Sequence, residues 1–276
     1  MFTGVHCVAY LSPAGTTRRV AERIVRALQQ QGIDPFVLDL ACRNKQFYAQ
    51  GESCCLWLGS PVYVDHALPQ VQRFIRGLPE GESFYAVPYV TWGAVCSGVA
   101  LPEMTQELQS RRWRTVAAAK VLGQHSSLWR SAEPLAAGHP NEEDLLLIDQ
   151  LVAGTLEKLK QADVVPLAEQ TLHYLPGDQE QQSWQKSLAK AIALQSPHQP
   201  DHQRCIRCGG CLLSCPVGAL VWRDDYPHVE ENCIRCHQCT RICPQKAYPY
   251  DADAVEARIR GFAAASREEK CTQIFL

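Results

Sequence analysis

One cysteine pattern occurs twice late in the chain and restricts what that region can fold around. The first copy is Cys205-x-x-Cys208-x-x-Cys211-x-x-x-Cys215-Pro216, and the second is Cys233-x-x-Cys236-x-x-Cys239-x-x-x-Cys243-Pro244. Eight of the 14 cysteines fall in these runs, so thiol chemistry dominates the region. Two-residue gaps curl the backbone tightly enough for three successive sulfurs to grip one inorganic core while the fourth reaches away. Four thiolates at the corners of a 4Fe-4S cluster suit that spacing, and two runs point to two clusters. Structural zinc would use two Cys-x-x-Cys pairs and leave the third and fourth cysteine of each run without a task. Disulfides would set neighbouring cysteines in competition and need an oxidising compartment, yet nothing at the N-terminus resembles a secretory signal.

Six further cysteines, Cys7, Cys42, Cys54, Cys55, Cys96 and Cys271, lie outside the runs. They fit a reducing interior, where thiols act as small apolar residues, and place the protein in the cytoplasm. With 276 residues, 46% of them apolar, the chain has material for a sizeable core and for two domains. A net charge of −2 offers no bulk field for nucleic acid or an anionic membrane, and no basic recognition helix is visible. The uncharged stretch from Ser83 to Pro102 is broken by Pro88, Gly93 and Gly98, which argues for strand, loop and helix start over a membrane span.

The first half alternates in type. A short apolar run at 4–10 stops at Ser12-Pro13-Ala14-Gly15-Thr16-Thr17, after which Val20, Ile24 and Leu28 recur at helical spacing until Gly32. A strand leading into a hydroxyl-rich glycine loop that opens a helix makes a phosphate cradle, with backbone N–H groups and hydroxyls facing the anion. Further strands are predicted near 35–40, 54–59, 84–90 and 115–122, with helices near 68–78, 99–111 and 142–160. The pattern is that of an α/β fold with a doubly wound five-stranded parallel sheet. In such sheets ligands sit beyond the carboxyl ends of the strands, here at the loops Ser12 to Thr17, Ser60 to His66 and Thr91 to Gly98.

These loops resemble those of flavodoxin. Ser12, Ala14, Gly15, Thr16 and Thr17 look like the FMN phosphate loop, although Pro13-Ala14 replaces its usual middle residues. Ser60, Pro61, Val62 and Tyr63 resemble the second flavin loop, and Thr91, Trp92 and Gly93 the third, with Tyr63 and Trp92 as candidates for ring contact. His66 is a further candidate donor to the flavin. The cysteine runs are similar to bacterial two-cluster ferredoxins, a small α+β fold. That resemblance implies one cluster on Cys205, Cys208, Cys211 and Cys243, and another on Cys233, Cys236, Cys239 and Cys215. Together the parts resemble the flavodoxin–ferredoxin fusion proteins. The layout expected is an FMN-binding domain at 1–165, a connector with a helix from Gln182 to Leu194 at 166–200, a ferredoxin domain at 201–250 and a helical tail at 251–276.

The resemblance implies an electron-transfer flavoprotein that relays electrons between FMN and the two clusters. Its partner would be a redox protein: a ferredoxin, a flavodoxin, or a reductase or acceptor enzyme. Two other functions remain open: an FMN-dependent reductase of a quinone, nitro compound or cobalamin, and an iron–sulfur sensor. No Gly-x-Gly-x-x-Gly fingerprint supports a dedicated NAD(P)H-binding domain.

Overall fold

The computed structural model describes residues 2–41, 53–81, 83–195 and 198–276; Cys42 lies outside them. β1 (Val5–Tyr10) is buried from His6 onward and leads into α1 (Thr16–Gln30). α1 hides Val20, Ala21, Ile24, Ala27 and Leu28, the three- and four-residue spacing of one apolar stripe. There follow β2 (Phe36–Asp39), β3 (Cys54–Tyr63), the short β4 (His66–Ala67), α2 (Pro69–Arg76), β5 (Phe84–Trp92) and α3 (Ala100–Ser110). Then come β6 (Arg114–Thr115), β7 (Ala118–Leu122) and α4 (Glu142–Leu159). α4 begins at a capping box in which Asn141 and Asp144 each accept the other's backbone N–H.

The strands β2, β1, β3, β5 and β7 lie side by side in that order, every pair parallel. This is the flavodoxin-like order of a doubly wound sheet, with its switch point between β1 and β3. Helices cover both faces, which is why β3 and β5 are near-continuous apolar runs. Along β3, Leu56 and Leu58 pack under α2 and α3, whereas Cys55 and Trp57 pack under α1 and α4. Each such large apolar side chain contributes about 1.5–3 kcal/mol.

The buried Trp57 Nε1–H donates to His6 Nδ1 at 3.2 Å. Burial pushes His6 down to about 4. Its folded-state value lies below the free-histidine range, so the unfolded chain binds more protons. The stability from keeping His6 neutral is present above about pH 6.5 and is lost as pH falls through about 4, up to about 3 kcal/mol. Urea denaturation at pH 7 and pH 4.5 should show this loss, and a His6→Phe variant should show less of it.

Beyond the sheet, the chain departs from two expectations. The predicted helix from Gln182 to Leu194 is two helices, α5 (Gly177–Gln185) and α6 (Leu188–Ala193). Lys186 and Ser187 between them are extended; Lys186 reaches out to Asp65, and the Ser187 hydroxyl caps α6 by accepting from Lys190 N–H. The tail is helical only through α9 (Ala252–Ala265). After it, β10 (Gln273–Phe275) pairs antiparallel with β7, so a sixth strand extends the five parallel ones. Three residues are too few to show a strand period, and pairing with an existing edge supplies their hydrogen bonds.

The cysteine-rich region holds α7 (Gly210–Leu213), β8 (Leu220–Arg223), β9 (Tyr226–Val229) and α8 (Gln238–Ile242), with β8 and β9 forming a hairpin. The two cysteine runs repeat each other's backbone at an offset of 28 residues, Cys205 to Cys233. Arg207 and Arg235, Gly209 and His237, and Gly218 and Lys246 are paired left-handed positions. Cys211, Leu220, Cys239 and Tyr248 form the small core between the copies. Among the described residues, no helix is long and apolar enough to cross a membrane.

Candidate functional site

The switch point brings the carboxyl ends of β1 and β3 together, and the predicted first and second loops stand there. Gly15 takes a φ of 95°, which a side chain would strain, and turns the chain into α1. Ser12 Oγ accepts from Arg18 N–H at 2.9 Å. Among the described residues, the amides of Ala14, Gly15, Thr16 and Thr17 have no protein acceptor. Free amides at the start of a 15-residue helix fit a phosphate. Thr17 is buried and its hydroxyl meets that of Thr91 at 2.7 Å, tying the first loop to the third.

In the second loop Ser60 is fully buried; its hydroxyl accepts from Leu68 N–H at 3.0 Å and donates to the Pro61 carbonyl at 2.9 Å, so it shapes the loop. Pro61, Val62 and Tyr63 are half-buried. The strand then reverses onto β4 through Val64 and Asp65, both left-handed, at φ 52° and 69°. A β-branched residue in that region is uncommon and strained. The connector and the start of α3 hold the turn: Ser183 Oγ donates to Asp65 Oδ2 at 2.8 Å, Lys186 pairs with the same carboxylate, and Val99 N–H donates to the Asp65 carbonyl at 2.8 Å. His66 has both ring nitrogens engaged, Nδ1 with Glu103 at 3.3 Å and Nε2 with the Ser183 carbonyl at 3.0 Å. It is committed to the connector, not to a ligand.

The third loop is covered. Trp92 is 2% exposed, packs with Ala94 and Leu122 against Val62, and lies beneath the ammonium groups of Lys120 and Lys270. Its indole N–H is buried without a partner. So little of the ring is open that Trp92 serves as packing, with its N–H the one group left to offer. Ser97 is held by Glu268 from the tail, which accepts from the Ser97 amide at 2.7 Å and from its hydroxyl at 2.5 Å. Glu268 also pairs with Lys120 at 2.7 Å. Gly93 has no room for a side chain, because a Cβ would stand 2.7 Å from the His125 ring.

A fourth loop after β7, with a short turn at Ser126–Leu128, docks the cysteine-rich region. Arg241 donates to the Ser126 carbonyl, and the Tyr250 hydroxyl to that of Ser127. Trp129 lies against Tyr250, ring centroids 5.1 Å apart. Half-buried Tyr63 stands at the same junction, where Cys236, Arg241, Ser126 and Cys233 are near enough to act on its charge. Burial raises its hydroxyl well above the usual value. Ile234, Val217 and Cys236 belong to the same apolar cluster as Val62 and Tyr63. The second predicted flavin loop and the second cysteine run therefore share one apolar cluster.

Cys205, Cys208 and Cys211 of the first run line one cavity together with Cys243 of the second. Conversely, Cys215 acts electrostatically on Cys233 and Cys236. Both observations cross the two runs. Among the described residues no three His, Cys, Asp or Glu side chains gather at single-ion distance, so these thiols ring a space rather than meet at a point. Backbone N–H groups face the sulfurs: Ala219 to Cys215 at 3.2 Å and, in the repeat, Ala247 to Cys243 at 3.3 Å. Burial pushes Cys236 up to about 11 and Cys239 up to about 12, so a thiolate at either position needs positive charge beside it, which iron would provide. Cys208 alone of the motif thiols is exposed. The cysteines Cys7, Cys54, Cys55 and Cys96 are buried in or under the sheet, and Cys271 is half-buried in the tail.

Sequence reasoning missed Asp65, Glu268, Lys120 and His198. The first three act through partners 118, 171 and 148 residues away, which no local pattern reveals. Residues 204–247 match the family described as the 4Fe-4S dicluster domain. No curated protein matches the chain. Among solved structures, a flavodoxin from the domain Archaea is similar at 18% identity and TM-score 0.43, over 56% of this chain and 99% of its own. Flavodoxin 1 from Bacillus cereus is similar at 18% identity and TM-score 0.44, over 56% and 98%. The flavodiiron core of Flv1 from Synechocystis sp. PCC6803 is similar at 15% identity and TM-score 0.45, over 58% of this chain but only 37% of its own. With its flavodoxin-order parallel sheet followed by a 4Fe-4S dicluster segment, the chain has the make-up of a flavodoxin–ferredoxin fusion.

Proposed function

We propose that the protein is an electron-transfer flavoprotein that relays electrons between FMN and two 4Fe-4S clusters, to or from a redox protein partner. The observation that carries this reading is the apolar cluster shared by Val62 and Tyr63 with Ile234 and Cys236, beside the hydrogen bond from Arg241 to the Ser126 carbonyl, which brings a flavin loop and a cluster-binding run together. When bound, FMN supplies one- and two-electron exchange and each cluster one-electron exchange.

The chain's residues have separable tasks in this reading. The amides of Ala14, Gly15, Thr16 and Thr17 and the hydroxyls of Ser12 and Thr16 hold the phosphate, while Pro61, Val62, Tyr63 and the backbone of Thr91, Trp92 and Gly93 border the ring. Cys205, Cys208, Cys211 and Cys243 hold one cluster; Cys233, Cys236, Cys239 and Cys215 hold the other. Val62, Ile234 and Val217 keep water from the junction between the two regions. Exposed Cys208, flanked by exposed Ile206, leaves one cluster edge open to a partner.

Anaerobic purification followed by iron, sulfide and flavin analysis tests the reading. About eight iron and one FMN per chain is the expected result. Iron without flavin, even after FMN is added, would make the first domain a docking module and overturn it.

A further inference from the structure

The two cysteine runs repeat each other's backbone, but their side-chain surroundings differ, most of all around Cys239. His198, at the end of the connector, is 4% exposed and places Nε2 at 3.3 Å from Cys239 Sγ and 3.3 Å from Thr240 Oγ1. The imidazole is fixed from two sides: Tyr248 stacks on it at 5.2 Å between centroids, and His237 meets it edge-on at 4.9 Å. Its neighbour Gln199 is clamped to Val229, donating to the carbonyl and accepting from the amide, both at 2.9 Å. In the repeat, Leu212 stands where Thr240 stands, and among the described residues no histidine reaches Cys211. His198 is also the one described side chain that turns a nitrogen to a motif thiol; the other nitrogen donors there are backbone amides.

We propose that His198 is a positioning residue for Cys239: its Nε2–H donates to the sulfur and makes the cluster on Cys215, Cys233, Cys236 and Cys239 easier to reduce than its counterpart. The proposal rests on the ligand sets given above. A cluster-bound cysteine is a thiolate and carries no proton, so the nitrogen facing it must be the donor. A donor to the sulfur stabilises the more negative, reduced state more than the oxidised one, which raises the potential. The repeat supplies an internal comparison: backbone donors serve both copies, the imidazole serves Cys239 alone, and its counterpart Cys211 has the Tyr248 hydroxyl near it instead. The favoured cluster is also the one beside Tyr63 and the flavin loops, so the inner of the two redox centres would hold the electron in preference to the outer.

The test is a redox titration of the full chain followed by electron paramagnetic resonance, with His198→Phe and His198→Gln variants. Phenylalanine keeps the ring against Tyr248 and removes the donor; glutamine restores an N–H. With iron content unchanged, the phenylalanine variant should show one cluster about tenfold less reduced at a fixed ambient potential, a shift of about 59 mV to more negative values. The other cluster should not move, and glutamine should recover part of the shift. Unchanged potentials in the phenylalanine variant, or equal shifts with both substitutions, would overturn the proposal. Should the variants lose iron, pulsed resonance on the unaltered protein carrying 15N-histidine decides: coupling of an imidazole nitrogen to one reduced cluster supports the donor, and its absence sinks it. A protein that holds no iron at all would instead refute the ligand sets.

Discussion

A chain carrying both Cys208→Ala and Cys215→Ala is expected to retain no cluster, whereas one carrying Cys208→Ala and Cys243→Ala should retain one, with about four iron. The two results follow from the crossing of the runs. Cys243 lines the same cavity as Cys205, Cys208 and Cys211, so its loss together with Cys208 damages a single ligand set. Cys215 stands with Cys233 and Cys236, so pairing its loss with that of Cys208 damages both sets. If each run served its own cluster, the outcome would invert: the Cys208 and Cys215 variant would keep about four iron and the Cys208 and Cys243 variant none. Iron analysis after anaerobic purification separates the cases, since the two double variants remove the same number of thiols.

The second large effect concerns the tail. Glu268→Ala should lower stability by about 3–5 kcal/mol, because it leaves the Lys120 ammonium buried and uncompensated. The two side chains are 4% and 3% exposed and meet at 2.7 Å. The same substitution strips Ser97 of the acceptor for both its amide and its hydroxyl, so the third loop loses its anchor. Urea denaturation measures the first consequence and flavin retention on gel filtration the second. A double variant, Lys120→Met with Glu268→Leu, should recover much of the stability, since an apolar pair of similar volume often replaces a buried ion pair without loss. It should not recover flavin retention, because leucine gives Ser97 no acceptor. A Glu268→Ala variant as stable as the parent would mean that water reaches Lys120.

Much of this architecture was legible locally. The apolar run of β3 and the 3.6-residue stripe of α1 each bury what their period says they should, so a doubly wound parallel sheet followed from the alternation of elements. The thiol runs were legible because ligand spacing is a local property of the backbone. What escaped detection depends on distant partners. At the break, Lys186 pairs with an aspartate on the second loop, a partner that the helical spacing from Gln182 does not show. Trp92, readable as a flavin-facing ring, turns inward because Lys120, Lys270 and the tail close over it. His198 sits in a Gln-, Pro- and His-rich stretch whose composition suggests only a linker, and the contact that gives it meaning is with a cysteine 41 residues on. The connector and tail pack on the protein as their apolar spacing suggests, and the structure adds what they meet: Asp65, Cys239 and Ser97.

The pairing of β10 with β7 changes what the word fusion can mean here. The cysteine-rich segment does not come after the last part of the chain that the sheet uses, since the strand that extends the sheet edge and the glutamate that pins the third loop come after the second cysteine run. During synthesis from the N-terminus, the flavin-side loops cannot be completed until the residues that take up iron have been made. A cut in the connector would therefore not release two working halves: the front would lack its sixth strand and Glu268, and the back would carry away a strand with no sheet to join. The bond that pins the third loop thus forms only after the whole cysteine-rich segment has been made.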